Sequence, residues 1–267
     1  MIRNLIDIKN LSILEQNSSD NYVSLSEVSF DNKEIGSGGF GTIHSVKSIN
    51  SKEVSNYVIK LFKDEHQQEH AYETIKQLHI KCKKHEIKTG LPTYHEIPQL
   101  LGLPFAAFRA YDEIEEKNCV ALLMFDLADL GYVDFGDDFS DIEEVNSLDL
   151  TDKFYLAYQL TKAFDFLHQN DFINSDFEKN SIWLNLSSLQ LALIDFDSGF
   201  NVDAQDKPTT IGKLGHWIGS TFRNIISNRS DSSELTTSDR INEENWIMAN
   251  AIFEIVFGAM PYFFLAD

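Results

Sequence analysis

The sequence predicts an α+β chain in two parts, a mostly β N-terminal part with one helix and a mainly helical C-terminal part. Short runs rich in β-branched and aromatic residues, at 27–30, 42–47 and 57–62, lie in the first half. A sustained apolar pattern of helical period begins only beyond residue 152. Between them, residues 133–152 hold eight acidic side chains and no basic one, which marks a shift in composition. At 267 residues the chain is about twice a typical single domain, so one large two-lobed domain or two modest ones are expected.

Residues 1–24 are read as a partly helical N-terminal extension; Arg3, Asp7 and Lys9 interrupt its apolar pattern, so it is no secretory signal. Residues 25–130 form the β-rich part. Within it, 64–85 is charged, with apolar Tyr72, Ile75, Leu78 and Ile80, and predicts an exposed helix. The apolar runs 104–111 and 119–127 flank an acidic turn and predict a hairpin. In the second part, 131–267, the spacing of Phe154, Leu156, Leu160, Ala163, Phe164 and Leu167 predicts an amphipathic helix ending near His168 and starting at 150–152. Short strands follow at 182–184 and 191–194, then a Ser/Thr-rich stretch at 227–239 and an apolar C-terminal helix. Asn250, Glu254 and Pro261 make that last segment a buried core helix rather than a membrane span.

Charge narrows the function classes. Twenty-two basic residues against forty-two acidic ones give a net charge of −20, which repels nucleic acid and anionic lipid. Two cysteines, Cys82 and Cys119, make no disulfide framework, and a reducing setting is expected, the cytoplasm or a host cytosol after delivery. The pairs and triplets His66/His70 and His79/Cys82/His85 have helix-compatible spacing for a metal, but solvated helix residues are the favoured reading.

The chemistry-bearing signal is Gly36-Ser37-Gly38-Gly39-Phe40-Gly41-Thr42-Ile43. Glycines let a backbone approach phosphates and present N–H donors. A dinucleotide-binding turn shares the spacing but must open a helix, whereas residues 42–46 continue in strand-like alternation, so a strand–turn–strand lid is expected. Lys60 follows at the end of the apolar strand 57–60. Alone it would be a lysine snorkelling from an edge strand; beside the Gly-rich turn an ammonium anchored by a neighbouring carboxylate or phosphate is the favoured reading.

These segments resemble the protein kinase family. Gly36, Gly38, Gly41 and Ile43 are similar to its Gly-rich loop over the ATP phosphates, and Tyr57-Val58-Ile59-Lys60 to the strand whose Lys pairs with them. The resemblance implies a helix Glu holding Lys60, either Glu73, the preferred choice, or Glu69. It also implies a hinge at Met124, Phe125, Asp126 and Leu127, where backbone groups meet the adenine edge; Met124 guards the pocket or is plain core. Residues 167–176 resemble the catalytic-loop approach, with Asp176 as the catalytic Asp, and 193–197 resemble the metal-binding strand end, with Asp195 on Mg²⁺. A turn or cap role is the plain alternative for either Asp.

Several positions depart from the family pattern. Asn174 and Ser175 stand for His-Arg, which removes the Arg that reads a phosphorylated activation loop. Glu178 takes the place of a Lys, with Lys179 one residue on. Ser181 stands where an Asn binds the second cation, with Asn180 one residue early. Asp197 replaces a Gly, either adding a carboxylate near the metal or lying on an immobile loop. Glu244 stands where an Asp ties a central helix to the catalytic loop, and no Ala-Pro-Glu motif is evident.

By this resemblance the fold is a two-lobed protein-kinase-like one, with an antiparallel N-lobe and a helical C-lobe lacking its last helices. The implied cofactors are ATP and Mg²⁺, and the implied reaction is phosphoryl transfer to Ser or Thr hydroxyls of a protein. The alternatives are a pseudokinase that binds nucleotide or a partner, and a small-molecule or lipid kinase. The acidic stretch 133–152 would attract a basic substrate or is a solvated loop. Apolar Ile252, Ile255, Val256, Phe257, Tyr262, Phe263 and Phe264 are expected to need a cover: residues 1–24, residues 200–240, a second copy, or chain beyond Asp267.

Overall fold

The computed structural model describes residues 2–10, 27–37, 41–62, 65–89, 101–104, 106–112, 116–136, 145, 147–174, 177, 179–197, 199–201 and 237–258. It is α+β and divides into two compact units, one of residues 1–98 and 102–131, the other of 99–101 and 132–267.

The first unit is an antiparallel sheet of β1 (Ile2–Asn10), β2 (Glu27–Ser37), β3 (Gly41–Ile49), β4 (Lys52–Glu53), β5 (Tyr57–Phe62), β6 (Ala106–Asp112) and β7 (Lys117–Phe125), with helix α1 (Glu65–Thr89). Strand order is β2-β1-β6-β7-β5-β3-β4, and β2 also pairs with β3, so six strands form a closed circuit with β4 outside it. The predicted strands at 27–30, 42–47 and 57–62 and the hairpin at 104–127 are all present. The reading of residues 1–24 as partly helical is corrected: 2–10 is a strand, because pairing with β2 and β6 outweighs a weak local pattern.

Cys119 to Leu123 of β7 are buried on both faces, which is why β7 reads as one apolar run rather than an alternation. One face forms a cluster of Val28, Phe30, Val46, Ile59, Ala106, Cys119, Ala121 and Leu123. Helix α1 contacts β5, β6 and β7 and buries Ala71, Tyr72, Ile75, Leu78 and Cys82, a spacing of three and four residues that keeps one helix face inward. The reading of His79 and Cys82 as solvated is therefore corrected, since both sit on that buried face. Both cysteines are free and buried.

The second unit holds helices α2 (Leu150–Gln169) and α3 (Thr237–Phe257), which pack on each other, with β8 (Val133–Asp134), β9 (Phe172–Ile173), β10 (Ile182–Asn185), β11 (Gln190–Leu193) and β12 (Phe200–Asn201). Asp149 caps α2 by accepting the Asp152 N–H at 2.9 Å, one residue ahead of the predicted start. Gln159, buried on α2, donates to the Leu189 carbonyl at 2.7 Å and accepts the Leu191 N–H at 3.0 Å, fastening the helix to β11. Helix α3 starts at Thr237, inside the stretch read as Ser/Thr-rich and polar. It buries Ile247, Ala251, Ile255 and Val256 but leaves Trp246 and Phe257 exposed; Tyr262, Phe263 and Phe264 lie outside the described residues. Among the described residues, no helix is long and apolar enough to cross a membrane.

Candidate functional site

In the first unit, β2 and β3 flank the glycine run as an antiparallel pair, with Ser37 opposite Thr42 and Gly36 opposite Ile43. This is the expected strand on either side of the turn rather than a turn opening a helix. Gly38, Gly39 and Phe40 lie outside the described residues. Gly41 is demanded by packing, since a Cβ there would sit 2.4 Å from the Leu61 carbonyl oxygen.

Register gathers the other predicted residues. Ile43 is opposite Lys60, Lys60 opposite Leu122, and Val58 opposite Met124. Directly paired residues share a sheet face, so Ile43, Val58, Lys60, Leu122 and Met124 form one surface with Lys60 at its centre. Lys60 is half-buried, with its Nζ 5.7 Å from the centre of the Phe62 ring. A half-buried ammonium on an apolar sheet face, beside strands that carry Gly36 and Gly41, is an arrangement that an anionic group can use.

Two predicted members of this half are corrected. Glu73 is exposed on α1 and its carboxylate takes the Lys76 ammonium at 2.9 and 3.1 Å, not Lys60, because it lies on the side of the helix away from the buried face. Glu69, the alternative, is exposed as well. Asp126 is not a base-edge donor: its N–H goes to the Asn56 carbonyl at 2.8 Å, and its Oδ1 accepts the N–H groups of Ala128 and Asp129 to shape the turn ahead of Gly131. Phe125 stacks at 5.2 Å on Tyr57, while Leu127 is half-buried at the start of the turn.

The second unit carries the predicted acidic residues. Asp176, Ser175 and Glu178 lie outside the described residues, but both flanks of the loop are clear. Glu244 on α3, only 3% exposed, accepts the Asn174 backbone N–H on Oε1 at 2.6 Å and meets His168 Nε2 with Oε2 at 2.7 Å. The expected tie from α3 to the segment leading toward residue 176 is present, made by both carboxylate oxygens. Asn174 in turn donates from Nδ2 to the Asp195 carbonyl at 3.3 Å. Nothing in the sequence reading gave Asn174 a task, although a polar amide directly after the apolar pair Phe172-Ile173 was a usable signal.

Asp195, two residues beyond β11, has φ +68°, a left-handed conformation that non-glycine residues adopt at a cost. The Ile194 N–H bonds the Ser181 carbonyl at 2.9 Å, so the structure brings the 3-10 turn Lys179–Ser181 beside the segment that leaves β11 toward Asp195. Ser181 is buried, Asn180 is exposed and gives its carbonyl to the Trp183 indole, and Asp197 is buried just beyond Phe196. These are hard oxygen donors of the kind Mg²⁺ takes. Among the described residues there is no cluster of three or more His, Cys, Asp and Glu. The Asp195 carboxylate and the Ser181 hydroxyl are of the donor chemistry that the Mg²⁺ implied by the resemblance would take.

Against known proteins, the chain is 23% identical over 231 residues to the serine/threonine-protein kinase PKH2 of Saccharomyces cerevisiae. That likeness is distant but kinase-like. The match takes in 85% of this chain and 19% of PKH2, so the chain spans about a fifth of that protein's length. No family model matches the sequence.

Proposed function

We propose that this chain is a divergent, two-lobed protein-kinase-like domain that transfers the γ-phosphoryl group of ATP to a Ser or Thr hydroxyl of a protein. The observation that carries the reading is the Glu244 tie. One buried carboxylate holds the approach to the Asp176 loop at two points, and the same approach reaches Asp195 through Asn174. A resemblance drawn from short motifs would not by itself bring these separated segments together. The likeness to PKH2 supports the same reading.

In this proposal Lys60 holds phosphate oxygens over the face shared with Ile43, Val58 and Met124, and Gly36 to Gly41 supply backbone N–H donors. Bound ATP with Mg²⁺ would supply the phosphoryl group and neutralise its developing charge. Asp195 and Ser181 hold the cation, and Asp176 orients the acceptor hydroxyl. Positioning and charge neutralisation provide most of the acceleration in such transfers. The net charge of −20 favours a basic acceptor segment.

A second reading, nucleotide binding without turnover, is favoured by Glu178 standing where a cation is expected and by the commitment of Glu73 to Lys76. Mg²⁺-dependent transfer from ATP to a panel of basic Ser/Thr peptides, measured for wild type, Asp176→Ala and Lys60→Met, decides between them. Transfer by the wild type that is lost in both folded variants supports the enzyme. A nucleotide-induced thermal shift with no transfer supports the second reading, and transfer to small alcohols but not peptides would replace the proposed acceptor.

A further inference from the structure

We infer that Asn174 is a positioning residue that fixes the Asp195 backbone for cation binding; this deepens the phosphoryl-transfer reading and rests on it for the cation. Asn174 is 2% exposed and is the first residue after β9. Its two kinds of donor point to two different elements, the backbone N–H to Glu244 on α3 and the side-chain amide to the carbonyl of Asp195. Glu244 is itself held on its other oxygen by His168 at the end of α2, so the donor that reaches Asp195 is built on two packed helices rather than on a free loop.

The recipient is the residue that needs such support. Asp195 has φ +68°, and its carbonyl orientation follows from that left-handed turn. The next side chain, Phe196, is 1% exposed and packs edge-on to Phe172 with ring centres 6.3 Å apart. The peptide group joining Asp195 to Phe196 is thus gripped at its oxygen by Asn174 and at its following residue by the core. Rotating Asp195 back to ordinary strand geometry would break the amide contact or drag Phe196 from its packing. Fixing the backbone of a cation ligand removes reorganisation that binding would otherwise oppose, and partners that orient ligands in this way commonly change metal affinity by about 10- to 100-fold.

The test uses the full chain with Asn174→Leu, which keeps the size but loses the donor, and Asn174→His, which restores an N–H of similar reach. Two quantities are read: the Mg²⁺ concentration giving half of the thermal shift induced by a non-hydrolysable ATP analogue, and hydrogen exchange of the amides at 194–199. Asn174→Leu is expected to raise the Mg²⁺ midpoint about tenfold or more and to speed exchange by at least as much, with Asn174→His recovering most of both. A folded Asn174→Leu protein with unchanged exchange, or with an unchanged Mg²⁺ midpoint, overturns the inference. So does an Asn174→His protein that behaves like Asn174→Leu. A wild type with no Mg²⁺-dependent shift instead removes the phosphoryl-transfer reading and with it the cation role, while exchange still reports whether Asn174 holds Asp195.

Discussion

Lowering the pH should destabilise the first unit through a single buried imidazole. His79 lies on the inner face of α1, and its Nε2 is 2.7 Å from the Pro104 carbonyl. A carbonyl only accepts, so Nε2 carries the proton and Nδ1 is bare; Nδ1 is buried with no hydrogen-bond partner among the described residues. Charging the ring would place an unpaired N–H⁺ in the core, and burial accordingly pushes the His79 pKa from 6.5 down to about 4, the Pro104 bond opposing only in part. Between those values the unfolded chain binds a proton that the folded chain refuses, so stability is full above the unfolded value and is lost as pH falls. The whole span corresponds to roughly 3 kcal/mol, and about 2 kcal/mol of it is lost by around pH 5. Urea unfolding at a series of pH values, for wild type and His79→Gln, isolates this contribution, because Gln keeps a donor for Pro104 and does not titrate. The wild type should lose about 2 kcal/mol more than the variant on going from neutral pH to about pH 5. Equal slopes for the two proteins would refute the reasoning, as would a His79 NMR titration with a midpoint near the ordinary histidine value.

Other substitutions probe the packing that shapes the candidate site. Gly41→Ala forces a Cβ against the Leu61 carbonyl and should cost about 1–3 kcal/mol, seen as a lower urea midpoint and weaker nucleotide-induced thermal shift. Gln159→Leu leaves the Leu189 carbonyl and the Leu191 N–H without the amide that joins them to α2, and should cost on the order of 2–3 kcal/mol in the same assay. Glu244→Ala removes the acceptor for both His168 and the Asn174 N–H; loss of about 3 kcal/mol or more and faster exchange at the Asn174 amide are expected, with Glu244→Gln intermediate. Glu73→Gln should leave any nucleotide-induced shift unchanged, because Glu73 serves Lys76 at the surface.

Local chemistry made much of this legible. Alternating β-branched residues and a glycine run specify β2, β3 and their hairpin within a few residues of one another, and the apolar spacing of α2 is long enough to be unambiguous. Strand β1 was not legible, since Ile2, Leu5, Ile6 and Ile8 suit a short helix as well as a strand, and what decides is a partner about a hundred residues away. The error over Glu73 was avoidable from helix phase: Ala71, Ile75, Leu78 and Cys82 lie on one side, which turns Glu73 to the other. Asn174 and Gln159 were hidden for a different reason. Each is a polar residue whose partners come from separate segments, and a linear pattern does not show which buried amide will find them.

The circuit of strands in the first unit also sets an order on synthesis. β1 leaves the ribosome first, yet its main partner, β6, emerges about a hundred residues later, a delay of roughly 5–20 s at ordinary elongation rates. Through that interval the nascent chain carries unsatisfied strand edges, the condition in which chains pair with their neighbours instead of themselves. The yield of native protein should therefore depend on chaperone supply and translation speed more than its finished sheet, with β4 alone among the described strands of that sheet outside the ring, would suggest.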